Sequence, residues 1–271
     1  MRFILVIHRN LDIFTHIKYV WSTILGGGRV RELYRLPLLT AIVAAFFTYK
    51  LASQYVKRKK FHQLLWTFSM LFYAITAFIE FLMNPEILGS NVIAFKVYYI
   101  LASPLVGLLG AGVLYLLASK RKADIFLTII GILCLGLLVT GIITPLDDDV
   151  IVEAFKMPLG KAFHTAVDAY PMTVRLWAII INIIGGFTLI LGALWSFIKD
   201  RRRIYNLSLF LGGVMPMIGG SALAFFGEPS LFFIFELGGV VFLFLGFHYS
   251  NEFIKTREST IAEILEKRGK K

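Results

Sequence analysis

Long apolar runs separated by short polar or charged segments dominate the sequence. Each run holds roughly twenty residues, enough for a helix to cross about 30 Å of hydrocarbon at 1.5 Å per residue. The runs do not alternate in polarity, which favours helices over the strands of a membrane β-barrel. We predict seven transmembrane helices, over residues 36–56, 61–83, 94–118, 123–143, 174–198, 204–226 and 231–250.

Composition agrees with this pattern, since 58% of the residues are hydrophobic and only 17% are charged. The mean hydropathy of +0.76 is outside the range of ordinary soluble proteins. We therefore expect an all-α integral membrane protein in contact with the lipid bilayer. The net charge of +11 does not indicate a nucleic-acid partner, because the Lys and Arg residues concentrate in short loops between apolar runs.

These basic loops orient the predicted bundle. Three of them fall on one side of a seven-span protein: Lys57-Arg58-Lys59-Lys60, Lys120-Arg121-Lys122, and Lys199 with Arg201-Arg202-Arg203. The alternate loops hold Glu86, Asp147-Asp148-Asp149 and Glu228 instead. The positive-inside rule then predicts a multi-pass protein of the cell membrane with its C-terminus in the cytoplasm and its N-terminus outside.

Residues 1–35 are expected to form an amphipathic helix at the membrane interface. On a helical wheel, one face carries Ile7, Leu11, Phe14, Trp21 and Leu25. The opposite face is polar, and a Gly triplet at 26–28 interrupts the pattern before the first span. An eighth span with a cytoplasmic N-terminus is the alternative, although it would bury Arg9, Asp12 and Lys18 in lipid.

A faint internal repeat links the two ends of the bundle. The segment 57–62 can be aligned with 201–206, and each leads into a span that ends near a proline, Pro85 or Pro229. This gives a 3+1+3 plan with two parallel repeats around a linker helix. In plan, though not in residues, it resembles small sugar transporters and, more distantly, heptahelical receptors. A chance match is the alternative, because basic loops and terminal prolines are common in helical membrane proteins.

Charged residues inside apolar runs are costly and therefore informative. Glu236 lies about five residues into the seventh span, and Glu80 lies at the same side of the second span. Lys96 and Arg175 begin the third and fifth spans on that side, within potential reach of a carboxylate. We interpret these residues as a polar layer in which a carboxylate binds a proton or cation. A structural ion pair, or snorkelling of the basic residues, is the alternative.

Two further features are candidates for function. Tyr99, with its neighbour Tyr98, is placed to hydrogen-bond a ligand in this layer, although Tyr is also common in interfacial belts. Pro216 lies among glycines in the middle of the sixth span and predicts a hinge. Close helix packing through the small residues is the simpler explanation.

The chain lacks the residues of several well-known membrane chemistries. The last span has no Lys for a retinal Schiff base, the five His residues are scattered, and the single Cys134 allows neither a disulfide nor a CxxC site. No catalytic constellation for intramembrane proteolysis or zinc hydrolysis is present. We expect no enzymatic activity, no cofactor and no metal centre.

Two segments are expected outside the bilayer. Residues 144–173 form the longest loop, in which 150–155 and 162–169 are apolar enough to lie on the bundle as short helices. Residues 251–271 form a charged cytoplasmic helical tail that docks a protein partner or binds anionic lipid.

Two hypotheses of function remain. The first is a small transporter or channel-like protein with an outward-facing polar cavity between spans two, three, six and seven, which binds a small solute or cation. The second is a receptor-like or accessory subunit of a larger membrane complex, without transport activity. A kinked, Gly-rich sixth span favours the first, and the small number of charges inside the membrane favours the second.

Overall fold

A computed structural model describes residues 35–201, 203–226 and 231–250, without the side chains of 221–226. Within these ranges the chain forms nine α-helices, one short 3-10 turn at Val167–Ala169, and no strand. The helices are α1 Leu36–Arg58, α2 Phe61–Leu82, α3 Val92–Leu117, α4 Lys120–Ile143, α5 Asp148–Ala154, α6 Leu159–Ala166, α7 Met172–Lys199, α8 Ile204–Phe226 and α9 Leu231–Ser250.

Six of these helices, α1, α2, α3, α4, α7 and α9, are long and apolar enough to cross a membrane. The predicted all-α class is thereby confirmed for the described residues, and the six long apolar helices are consistent with a membrane-embedded protein. The remaining predicted span, the sixth, coincides with α8, in which Ile204–Gly220 is apolar but shorter. The interfacial helix predicted before residue 35 and the tail at 251–271 lie outside the described residues.

Local sequence explains where several helices begin and end. Pro37 occupies the first turn of α1, where its missing N–H costs no helical hydrogen bond. Lys59 ends α1 in the left-handed conformation, with φ of 51°, and turns the chain directly into α2. At the start of α3 the Asn91 side chain accepts a hydrogen bond from the Ala94 N–H.

The bundle is a closed ring of six helices with α4 on its outside. Along the ring, α1 packs on α2, α2 on α3, α3 on α7 and α7 on α8. Glycines bring α8 against α9 near Gly212 and Gly239. Phe47 of α1 closes the ring against Phe244 and Phe247 of α9, with ring centroids 5.4 and 5.2 Å apart. Helix α4 contacts α3 and α7 and is the least buried of the six apolar helices, whereas α2 is the most buried.

The short helices α5 and α6 cover one end of the bundle. We call this the cap end and the opposite one, where the loops before α2, α4 and α8 lie, the basic end. Ile151, Leu159 and Phe163 of the cap are at most 2% exposed. They pack with side chains from α2, α3, α4, α7 and α9 in one hydrophobic cluster. The prediction of short helices lying on the bundle at 150–155 and 162–169 is confirmed.

Glycines allow α3 and α7 to approach each other at backbone distance. A Cβ added to Gly110 would lie 2.4 Å from the Gly185 carbonyl oxygen, and one added to Gly185 would lie 2.7 Å from the Gly107 Cα. Backbone atoms cannot move aside as a flexible side chain can, so these positions exclude larger residues.

We predict that Gly110→Ala destabilises the protein by about 1–3 kcal/mol, because the added methyl group forces α3 away from α7. Thermal unfolding of the detergent-purified protein measures the effect. Gly131→Ala on α4 is the matched control, since nothing lies within 4 Å of its added Cβ. Equal melting temperatures for the two variants would contradict the close approach.

A candidate carboxyl site between α2 and α9

Helix α2 carries hydrogen-bonding side chains along the whole of its buried face. They recur every three or four residues, which is the spacing of one helical face, and all are buried. These residues are Gln63, Trp66, Ser69, Tyr73, Thr76 and Glu80. Helix α2 therefore presents a polar stripe to the interior of the ring, from the basic end to the cap end.

Much of this stripe is satisfied by the backbones of neighbouring helices. The Trp66 indole N–H donates to the Leu109 carbonyl at 3.2 Å, and the Ser69 hydroxyl donates to the Leu105 carbonyl of the same helix, α3. The Tyr73 hydroxyl donates to the Glu236 carbonyl of α9 at 3.0 Å. These bonds join α2 to α3 on one side and to α9 on the other.

At the cap end of the stripe, the carboxyl groups of Glu80 and Glu236 lie within hydrogen-bonding reach of each other. Their side chains belong to residues that are only 2% and 6% exposed. Two carboxylates in contact repel strongly when water is excluded, and both cannot remain ionised. The arrangement is stable only if the pair shares a proton or binds a cation.

The surroundings of the pair leave part of its hydrogen-bonding capacity unused. The Tyr98 hydroxyl of α3 lies within hydrogen-bonding reach of the Glu80 carboxyl. No N–H or O–H donor of the described residues reaches Oε2 of Glu80 or Oε2 of Glu236. A buried acceptor without a donor is costly, so these oxygens mark a place for a proton, a water or an ion.

The structure places Lys96 and Arg175 in other contacts. The Lys96 ammonium donates to the Ile142 carbonyl at 3.0 Å. The Arg175 guanidinium pairs with Asp168 at 2.6 Å. Within the described chain, neither Lys96 nor Arg175 forms an ion pair with Glu80 or Glu236. No ion pair among the described residues therefore balances the charge of the two carboxyl groups.

Tyr99 faces the cap rather than the carboxyl pair. Its ring packs against that of Tyr170 with centroids 4.7 Å apart. The Tyr170 hydroxyl donates to the Gly141 carbonyl at 3.0 Å. Burial, with a smaller contribution from Tyr99, raises the pKa of Tyr170 above its ordinary value, so this hydroxyl remains a donor. Of the two adjacent tyrosines, Tyr98 is the one beside Glu80.

Aromatic side chains close the site toward the cap end. Phe163 of α6 lies against Tyr98, with ring centroids 4.6 Å apart, and against Phe95 at 6.2 Å. Phe155 of the cap packs edge-on against Phe163 at 5.3 Å. We call these rings the aromatic lid, and among the described residues they lie between the buried carboxyl pair and the cap.

Pro216 lies within α8 at the contact with α9. A Cβ added to Gly239 would lie 2.9 Å from ring carbons of Pro216. Gly239 is less than one turn from Glu236 along α9. The predicted hinge therefore packs beside the segment that carries one of the two carboxylates, and its movement itself stays a prediction.

Among the described residues, no group of three or more His, Cys, Asp and Glu side chains is arranged to hold a metal ion. No family model matches the chain, and no curated protein or solved structure matches it significantly. The interpretation of the site therefore depends on its own geometry.

Sequence reasoning identified both carboxylates but missed that they meet, and it missed the polar stripe of α2. The stripe was readable, because its members follow one another at spacings of three and four residues in an otherwise apolar run. The contact between positions 80 and 236 joins distant parts of the chain and has no local signal.

We predict that the protein at neutral pH shows the infrared C=O stretching band of a protonated carboxylic acid. Glu80→Gln and Glu236→Gln should each shift this band, because the remaining buried carboxyl group then bonds to an amide instead of a second carboxyl group. Glu153→Gln is the matched control, since Glu153 is exposed and pairs with Lys156 on the cap. A spectrum without this band in the unmodified protein would show that the pair shares no proton.

Proposed function

We propose that this chain is a small transporter or channel-like membrane protein that binds a proton or cation at the Glu80 and Glu236 carboxyl pair. The contact of two buried carboxyl groups without a basic partner among the described ion pairs is the observation that carries the proposal. Charges inside a membrane are expensive, and they are found mainly where an ion or proton path requires them.

The proposed working cycle begins from the closed state. The aromatic lid around Phe163 separates the pair from the cap end, and the packed interior of the ring separates it from the basic end. Opening toward one side would hydrate the carboxyl groups and allow a proton or cation to exchange. Movement of α8 about Pro216 would act on α9 through Gly239 and so reach Glu236.

The proposal includes seven spans, with α8 as the sixth and the basic end in the cytoplasm. The external position of α4 supports the 3+1+3 plan, because helices α1 to α3 and α7 to α9 form the ring while α4 packs outside it. In this plan α4 connects two parallel halves, and the carboxyl pair joins a helix from each half.

A receptor-like or accessory subunit is the second candidate. The polar stripe favours it, since Trp66, Ser69 and Tyr73 use their donors to fasten α2 to neighbouring backbones. The carboxyl contact would then be another structural link, and the chain would act through a membrane partner. On either proposal the chain is not an enzyme.

We predict that proteoliposomes containing the protein dissipate a pH gradient faster than empty liposomes, with the membrane potential clamped. An entrapped pH-sensitive dye measures the rate. Glu80→Gln and Glu236→Gln should reduce the rate to that of empty liposomes, because an amide cannot carry the proton.

Glu153→Gln again serves as the control and should retain the rate of the unmodified protein. If the unmodified protein gives no more flux than empty liposomes, and no small-solute panel stabilises it against heat, the transporter proposal is wrong. Co-purification of another membrane subunit would then favour the accessory role.

A further inference from the structure

A third unsatisfied oxygen belongs to Thr40 of α1. The residue is 0% exposed, and its Oγ1 has no hydrogen-bond partner among the described residues. Thr48, two turns further along the same helix, shows the usual solution, since its hydroxyl donates to the Ala44 carbonyl at 2.8 Å. Thr40 does not make this bond, so its hydroxyl is available to a ligand in the interior of the bundle.

The packing of α1 on α9 brings Thr40 to the level of Glu236. Both helices run from the cap end, where Leu36 and Phe233 join the same cluster. Phe47 contacts Phe244, with ring centroids 5.4 Å apart. Thr40 lies seven residues before Phe47 and Glu236 lies eight before Phe244. At 1.5 Å per residue this contact puts the two side chains within about 2 Å of the same height, and the Phe47 contact with Phe247, at 5.2 Å, gives a difference of about 6 Å.

The packing of α1 on α2 brings Glu80 close to that level as well. These helices are antiparallel, and the Gln63 amide donates to the Gln54 side chain at 3.1 Å near the basic end. Thr40 lies fourteen residues from Gln54, and Glu80 lies seventeen from Gln63. The two therefore differ in height by less than one helical turn, about 5 Å. Thr40 also shares the buried face of α1 that packs into the ring.

We infer that Thr40 Oγ1, Glu80 Oε2 and Glu236 Oε2 form a binding site for a monovalent alkali cation. The inference rests on the proposed function and names the cation that the carboxyl pair takes. A site whose ligands are all oxygen atoms suits a hard cation, and it lacks the sulfur ligands that a soft metal prefers. Each carboxylate oxygen has two lone pairs, so the pair can share a proton and still ligate a cation.

Charge balance selects the monovalent ion. One shared proton leaves a single negative charge on the pair, and one alkali cation neutralises it. A divalent cation would require both carboxylates to be ionised, and Ca²⁺ requires six to eight oxygen ligands. The three unsatisfied oxygens of this site and the Tyr98 hydroxyl are four ligands, fewer than this number.

The test is the melting temperature of the purified protein in detergent, at fixed pH and ionic strength, in NaCl, KCl or choline chloride. We expect Na⁺ or K⁺ to raise it by a few degrees over choline, because an ion that binds only the folded state stabilises it. Thr40→Val should remove this difference between salts. Thr48→Val, whose hydroxyl is already satisfied within its own helix, should keep it.

The difference between salts is measured within each variant, so a general loss of stability in Thr40→Val does not affect the comparison. Equal melting temperatures in all three salts, or an alkali response that Thr40→Val retains, would overturn the inference. A response to Ca²⁺ or Mg²⁺ alone would overturn it too. Failure of the proposed function looks different: proteoliposomes would show neither proton flux nor uptake of Na⁺ or K⁺, while the alkali response in melting persisted.

Discussion

The contact between the Glu80 and Glu236 carboxyl groups is the constraint on which the rest of the bundle depends. Each lies on an apolar helix, and each is buried where a lone carboxylate would be very costly. They meet because Tyr73, which lies on α2 two turns before Glu80, donates a hydrogen bond to the backbone carbonyl of Glu236 on α9. The ring must bring α2 and α9 together at this level, or leave two buried acids without partners.

The remaining packing keeps Glu80 and Glu236 at the same height in the bundle. Helix α2 is fixed laterally by Trp66 and Ser69, which donate to α3 carbonyls. Helix α3 is fixed in turn by its glycine contact with α7. The aromatic lid around Phe163 then excludes water from above the pair. Excluding water strengthens both the repulsion between carboxylates and the attraction of any proton or cation that relieves it.

The sequence was a good guide to the helices and a partial guide to the site. Spans were readable because twenty apolar residues are required to cross a bilayer, and carboxylates such as Glu80 and Glu236 are conspicuous in such runs. Lys96 and Arg175 were grouped with them by depth alone, yet depth does not specify which neighbour a helix face meets. Thr40 gave no sequence signal, since a single Thr in an apolar helix usually bonds its own backbone, as Thr48 does.

The most direct test of the carboxyl contact is a double-mutant cycle on stability, with Glu80→Leu, Glu236→Leu and the double variant at neutral pH. If the groups meet, each single change leaves the other carboxyl buried without its partner, while the double change leaves an apolar contact. The double variant should then be less destabilised than the two single changes together, by roughly 0.5–3 kcal/mol. Effects that add within about 0.5 kcal/mol would contradict the contact and the account built on it.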